Sequence, residues 1–322
     1  MKKTIFLFYF CLILQIIFAA PSWVTDAGRR KAFPEGEYIS ALGTAFNEQS
    51  AKNKAAQGIS EYIKTEVTSF SNSRYSQSDK NGITTEESSI EEEISLISNT
   101  NLYALEYTEC WKEEYSGRFY CVAYIEKIGA WKIVRQKLQK ISLNVTGLIE
   151  GTEEERSGFW KMLSYGKAAS FEKEFYSLYD FANIVNKSEL SEFNPCLQNI
   201  QTAKNSLLQN KKSEKVLLKV QNDKNEMIYR ALASYFESNG FTVTSDSGKY
   251  ICNAIASVEV RNDKSSLVSY PGLTLNVTDV FGSQIASYNT TAKKTVGFNK
   301  DSTIEKAYRT LERACENIEW IK

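Results

Sequence analysis

Histidine is missing altogether from these 322 residues. Its absence removes the commonest metal ligand and the commonest general base together. Serine triads, Cys–His pairs and His-containing zinc sites are therefore excluded. Prolines number only 4, against 12% aromatic residues, so the chain is no disordered tail. There is no surplus of either charge: Lys plus Arg and Asp plus Glu each number 39. A nucleic-acid binder would carry a basic surplus or stripe, so no nucleic-acid partner is expected. The chain has neither GxGxxG nor GxxxxGK[ST], and none of its cysteines stand at CxxC spacing. Phosphate loops, zinc knuckles and thioredoxin-type motifs are excluded with them, and no cofactor or metal is expected.

The most informative residues come first. Lys2 and Lys3 precede an apolar run from Ile5 to Phe18, and the small residues Ala19 and Ala20 lead into Pro21. Charge, apolar core and small residues in that order make a secretory signal peptide, assigned to residues 1–20. The run is short of the roughly 20 apolar residues that a membrane anchor needs. Cleavage after Ala19 leaves Ile17 three residues upstream, and cleavage after Ala20 leaves Phe18 there. Cys11 invites a lipoprotein reading, but Phe8-Tyr9-Phe10 before it is no lipobox, so it reads as an ordinary apolar residue. No later stretch approaches spanning length. Losing Lys2 and Lys3 leaves the mature chain with a net charge of about −2.

Five cysteines remain: Cys110, Cys121, Cys196, Cys252 and Cys315. Cys110 and Cys121 flank Glu113-Glu114-Tyr115-Ser116-Gly117, which reads as a hairpin turn. A four-residue loop, Glu114 to Gly117, sets Cys110 opposite Cys121 and makes a cross-strand disulfide feasible. A two-residue loop shifts the register and forbids it. One cysteine of the five is left free or pairs between chains.

Periodicity then divides the chain. A module at 21–143 opens on Pro21-Ser22-Trp23-Val24 and a strand Glu37–Gly43. A helix capped near Asn47 follows, with the stripe Ala51, Ala55, Ile59, Tyr62, Ile63, Val67 and Phe70. After a loop at Asn81-Gly82, strands are predicted at about 87–102, 103–113 and 118–127, the last apolar on both sides and so central. Glu91-Glu92-Glu93 reads as a solvated strand edge rather than a cation site. A helix over about 129–140 closes the module. Residues 144–211 read as a helical hairpin broken near Asn186 to Pro195, and its many aromatics read as buried. A third segment, 212–322, places strands at 215–220, 241–244, 251–260, 267–280 and 284–296. Its helices run over about 225–238, stopped by Asn239-Gly240, and about 302–318. The fold class is α+β: two mixed or antiparallel sheet-plus-helix modules of β-α-β-β-β-α type joined by a helical hairpin.

The residues Pro21-Ser22-Trp23-Val24, Glu37-Tyr38-Ile39-Ser40-Ala41-Leu42-Gly43 and the alanine-led helix resemble the start of the Lpp-twenty family of bacterial envelope lipoproteins. Glu109-Cys110-Trp111 and Phe119-Tyr120-Cys121-Val122-Ala123-Tyr124 continue the likeness, which covers about residues 21–140. Gly43-Thr44-Ala45 lacks the family's second glycine and the lipobox is missing, so the lipid anchor does not carry over. By strand order and the Asp279-x-x-Gly282 hairpin, the last module is similar to periplasmic domains of flagellar assembly protein T and to the Tol translocation protein's N-terminal domain. These resemblances imply envelope assembly or interaction roles and supply no catalytic residues.

The expectation is a non-enzymatic, exported accessory or scaffold protein, periplasmic or outer-membrane-associated. Its partners would be envelope proteins or cell-wall components, with no transmembrane domain after signal cleavage. A component of a periplasmic flagellar or secretion assembly, self-associating as a homo-oligomer, is the first alternative. A secreted hydrolase using two carboxylates is the second, but no local pattern singles out a pair. Asn-x-Ser/Thr at Asn144, Asn186, Asn276 and Asn289 reads as chance beside a bacterial signal.

Overall fold

The computed structural model of the chain describes residues 20–78, 104–263 and 266–322. Residues 1–19 with Cys11, the Asn81-Gly82 loop, the strand predicted at about 87–102 and Glu91–Glu93 lie outside the described residues. In chain order, a 3-10 turn at Ser22–Val24 is followed by α1 (Asp26–Ala32), β1 (Tyr38–Ala45), α2 (Glu48–Ser78), β2 (Leu105–Tyr107), β3 (Trp111–Lys112) and β4 (Phe119–Glu126). Then come α3 (Lys127–Glu154), α4 (Gly158–Ser170), α5 (Glu172–Val185), a 3-10 stretch Lys187–Phe193 and α6 (Asn194–Asn210). The remainder is β5 (Lys215–Gln221), α7 (Met227–Ser238), β6 (Thr242–Thr244), β7 (Tyr250–Asp263), β8 (Ser266–Asp279), β9 (Gln284–Thr291), β10 (Thr295–Gly297) and α8 (Lys300–Ala314). The class is α+β, with two sheets.

The chain divides into two compact units, Met1–Ser142 with Lys173–Asn194, and Leu143–Glu172 with Pro195–Lys322. Residues 144–211 are thus helical but shared between the units. In place of two long helices there are breaks after Glu154 and at Phe171 as well as at Asn186. Phe159, Phe175, Phe181 and Phe193 among their aromatics are buried, while Trp160, Tyr165, Phe171, Tyr176 and Tyr179 are half-buried.

In the first unit β4 is central, antiparallel to β1 on one side and to β2 and β3 on the other. That is why the segment from Phe119 is apolar on both faces. The side chain of Asn47 accepts the Ser50 N–H at 2.7 Å and starts α2. Ala51, Ala55, Ile59, Ile63 and Val67 of α2 are buried, while Tyr62 is exposed. The strand predicted over 103–113 is divided. Tyr107 pairs with Ala123 but Trp111 pairs with Tyr120, so Glu109 and Cys110 together oppose Cys121 as a bulge. The helix predicted to end at Lys140 runs on to Glu154, because Ile141 and Val145 prolong the buried stripe of Val134 and Leu138. Later in the same unit, the Trp131 indole donates to Glu189 at 3.3 Å and Arg135 makes two bonds to Glu192 at 2.8 and 3.0 Å.

In the second unit the strand order is β6-β5-β7-β8, with β9 and β10 both on the far edge of β8. β5 is parallel to β6 and β7, and the other pairings are antiparallel. The single strand predicted over 284–296 breaks where the Ala292 N–H turns to the Pro271 carbonyl. Along β7, Cys252, Ala254 and Ala256 point inward and pack with Ile228, Leu232, Phe236, Tyr308 and Leu311 from α7 and α8. Gly240 stops α7 at φ +81°, a left-handed position that costs glycine little. The β8–β9 turn is held by the Asp279 carboxylate, which accepts the Phe281 and Ser283 N–H groups at 2.9 and 2.8 Å.

A β-carbon built on Gly43 would lie 2.0 Å from the Ala51 carbonyl oxygen and 2.4 Å from the Ala55 nitrogen. Since both contacts are backbone, Gly43→Ala is expected to destabilise the first unit by about 2–3 kcal/mol, read from urea unfolding. An unchanged midpoint would show that α2 does not bear on the sheet there.

Candidate functional site

The hairpin between β3 and β4 has a four-residue loop, Glu114 to Gly117, with the Glu113 N–H bonded to the Arg118 carbonyl at 2.8 Å. Extending the Trp111–Tyr120 register by one residue sets Cys110 beside Cys121. Hydrogen-bonded and non-hydrogen-bonded pairs alternate along an antiparallel ladder. Counting from 113/118, the pair 110/121 is non-hydrogen-bonded, the type whose side chains approach most closely. Both residues are thiols in this structure. Cys121 is completely buried, and its Sγ donates to the Thr108 carbonyl at 3.5 Å. Cys110 is half-buried; burial first, then its hydrogen bond with Cys121, push its thiol up to about 12. The Lys52 ammonium from α2 opposes that shift and Glu48 adds to it.

A second feature lies on the face of the second sheet turned away from α7 and α8. Register places Lys219, Asn253, Asn276 and Ser287 in one row, and Gln221, Ile255, Thr274 and Asn289 in the next. Ser257, Gly272 and Thr291 make a third row. Asn253, Ser257, Thr274, Asn276 and Asn289 are exposed, as is Ile255 at 43%. Ile321 bridges to Ser287 and widens the face by a partial strand. Across these rows the only charged side chain is Lys219, in a chain that is 24% charged. The sequence marks this face by alternation alone, apolar and small at Cys252, Ala254 and Ala256, amide or hydroxyl at Asn253 and Ser257. The strands were legible, but which polar rows would align was not.

Two carboxylates that sequence reasoning did not single out are committed to the second unit's framework. Glu214, 7% exposed, accepts from Lys249 at 2.6 Å and from the Tyr250 hydroxyl at 2.5 Å. Its oxygens stand against Gly158, the first residue of α4, where a β-carbon would lie 2.9 Å away. A negative group there complements the positive end of the helix. Burial, then the bond to Glu214, raise the Tyr250 phenol well above its ordinary range. Asp223, between β5 and α7, accepts from Ile228 N–H at 3.0 Å and Tyr229 N–H at 2.8 Å. That loop, with left-handed Asn222, Asn225 and Glu226, is where an α/β unit can seat a phosphate. Here the chain's own carboxylate occupies the donors. A groove of about 640 Å³ beside α7 and α8 is lined by Arg230, Tyr235, Glu312 and Glu316 among others. Its Arg230 guanidinium bonds the Asn225 and Glu226 carbonyls, and its Tyr235 hydroxyl accepts from the Trp320 indole.

Among the described residues no group of three or more His, Cys, Asp or Glu is placed to hold a metal ion, and no helix is long and apolar enough to cross a membrane. No protein family matches the chain. No curated protein matches it either. Solved structures similar to it include a minor lipoprotein of Acinetobacter baumannii, 15% identical over 32% of this chain and 84% of that one, at a TM-score of 0.24. The secreted protein HP1454 of Helicobacter pylori is 13% identical over 87% of this chain and 96% of its own, at 0.28. A dodecameric PelC from Paraburkholderia phytofirmans is 11% identical over 32% and 84%, at 0.22. TM-scores this low carry no inference about function.

Removing the Glu214 carboxylate leaves the Tyr250 hydroxyl and the first turn of α4 without their partner. Glu214→Ala is expected to cost about 2–4 kcal/mol in urea unfolding followed by tryptophan fluorescence, and Glu214→Gln less. Equal stability in all three proteins would show that the cluster does not hold the unit together.

Proposed function

We propose that the chain is an exported, non-catalytic protein of the bacterial cell envelope that binds another envelope component through the open face of its second sheet. The observation that carries this reading is the depletion of charge across three exposed rows of that sheet. Loss of charged residues is the compositional mark of an interface core, and uncharged amides and hydroxyls are cheaper to desolvate than ions. The rows are set by the strand register, so a partner meets a fixed pattern of donors and acceptors. The signal-like residues 1–20 support export, and the Lpp-twenty-like residues 21–140 support an envelope placement. The absence of histidine and the structural use of Glu214 and Asp223 weigh against catalysis.

The test is cell fractionation combined with site-specific photocrosslinking. A photoreactive residue at Asn276 is expected to give one discrete adduct in the envelope fraction. The same residue at Glu305, exposed on the outer side of α8, is expected to give none. Thr274→Glu should weaken the adduct at least about tenfold, because it buries an unpaired charge in the interface. No adduct at Asn276, or equal adducts at both positions, would overturn the reading.

A further inference from the structure

We infer that Cys110 and Cys121 are a disulfide-forming pair in which half-exposed Cys110 is the entry thiol and buried Cys121 the resolving thiol. The inference rests on the geometry of the first unit and stands apart from the binding role of the second sheet.

Three features of the fold assemble the pair. The four-residue loop and the 113/118 hydrogen bond set the register, and the bulge at Glu109–Cys110 brings both residues against the one position, Cys121. The Cys121 sulfur is near enough to Cys110 to act on its titration, and both are free thiols. Adjacent strands at a non-hydrogen-bonded pair hold their α-carbons within the span that a disulfide bridges. Beyond this pair, Gly43 lies opposite Cys121 on β1, where the first turns of α2 press on the sheet. Those turns bring Lys52 and Glu48 close enough to act on the sulfur charge.

Burial makes the order of events. The other described cysteines, Cys196, Cys252 and Cys315, are buried along with Cys121, so Cys110 is the described thiol that an external reagent reaches. The oxidant is a disulfide R–S–S–R, of a protein or of a small thiol. Cys110 loses its proton and its sulfur attacks one sulfur of the oxidant. The S–S bond breaks, one R–SH leaves with a proton, and a mixed disulfide remains on Cys110. Cys121 then loses its proton and attacks the Cys110 sulfur, and the second R–SH departs. Two protein thiols are oxidised and one external disulfide is reduced to two thiols. The bond closes the hairpin that carries the fully exposed Tyr115 and pins the bulge to its register.

The experiment exposes the full chain to glutathione disulfide and maps its peptides by mass without reductant. The wild-type protein is expected to yield the 110–121 crosslinked peptide, two hydrogens lighter and free of glutathione. Cys121→Ala should instead accumulate glutathione on Cys110, at least about tenfold above any other described cysteine. In Cys110→Ser, position 121 should stay unmodified. Because Cys121→Ala alters a buried position, the wild-type map stands as an independent reading. A wild-type chain that remains dithiol, or one that links a different pair, overturns the inference, as does glutathione on Cys121 in Cys110→Ser.

Discussion

At Gly43 the backbone of α2 comes down onto the first sheet with no room for a β-carbon. Much of the first unit follows from that approach. It requires Ala51 and Ala55 on the facing turns, and both are completely buried. It also fixes the height of the helix over β4, which places Cys121 in the covered row with Gly43 and Ala123 in the row set by Ala41. The described strands of this sheet depend on the central one. β4 supplies partners on both edges, and its Val122, Ala123 and Ile125 are out of contact with water. The opposite face is sealed less completely, by the Phe33, Tyr38 and Tyr124 rings at centroid distances of 4.8–6.1 Å. Aromatic contacts at that spacing combine burial with a preferred geometry.

The second unit solves a different problem, a six-stranded sheet whose own described helices α7 and α8 pack on one face. The covered side is assembled from strand alternation and the stripes of α7 and α8. The N-terminal ends of its helices need acceptors, because the first amide groups of a helix lack partners. The chain supplies them internally: Asp223 at α7, Glu214 beside α4, and Asn299 at α8, where it accepts the Ser302 N–H at 2.8 Å. A carboxylate engaged by backbone amides or by a lysine and a tyrosine is poorly suited to proton transfer. These side chains therefore read as framework.

How much of this could be read from residues alone depends on the distance between partners. The α2 stripe, the α7 stop at Gly240 and the Asp279 turn are local patterns, and each lies where periodicity or turn chemistry placed it. The Cys110–Cys121 register was legible as far as loop length decides it, but the bulge was not, since it emerges only when β2 and β3 are both aligned on β4. The extension of α3 past Lys140 was missed because Ser142 and Asn144 blur a stripe that Ile141 and Val145 continue. Glu214 with Lys249 and Tyr250 joins residues 35 and 36 positions apart, and no local rule links them. The aligned polar rows of the second sheet depend on the parallel register of β5 with β7, which no turn specifies.

Chemistry and architecture meet in what the chain does with its few reactive groups. With no histidine, titration near neutrality would have to come from perturbed cysteines or carboxylates. Cys110, Cys252 and Cys315 are shifted the wrong way for that. Burial pushes Cys252 and Cys315 up to about 12, as it does Cys110, so each is a neutral thiol across the physiological range. A neutral thiol is a slow nucleophile, so exchange at Cys110 is slow, and a disulfide once formed keeps its Cys121 sulfur out of reach. Burial of Cys121 therefore suits the proposed bond to a structural role. The three polar rows of the second sheet, with Lys219 as their one charge, are the surface on which the proposed binding role rests.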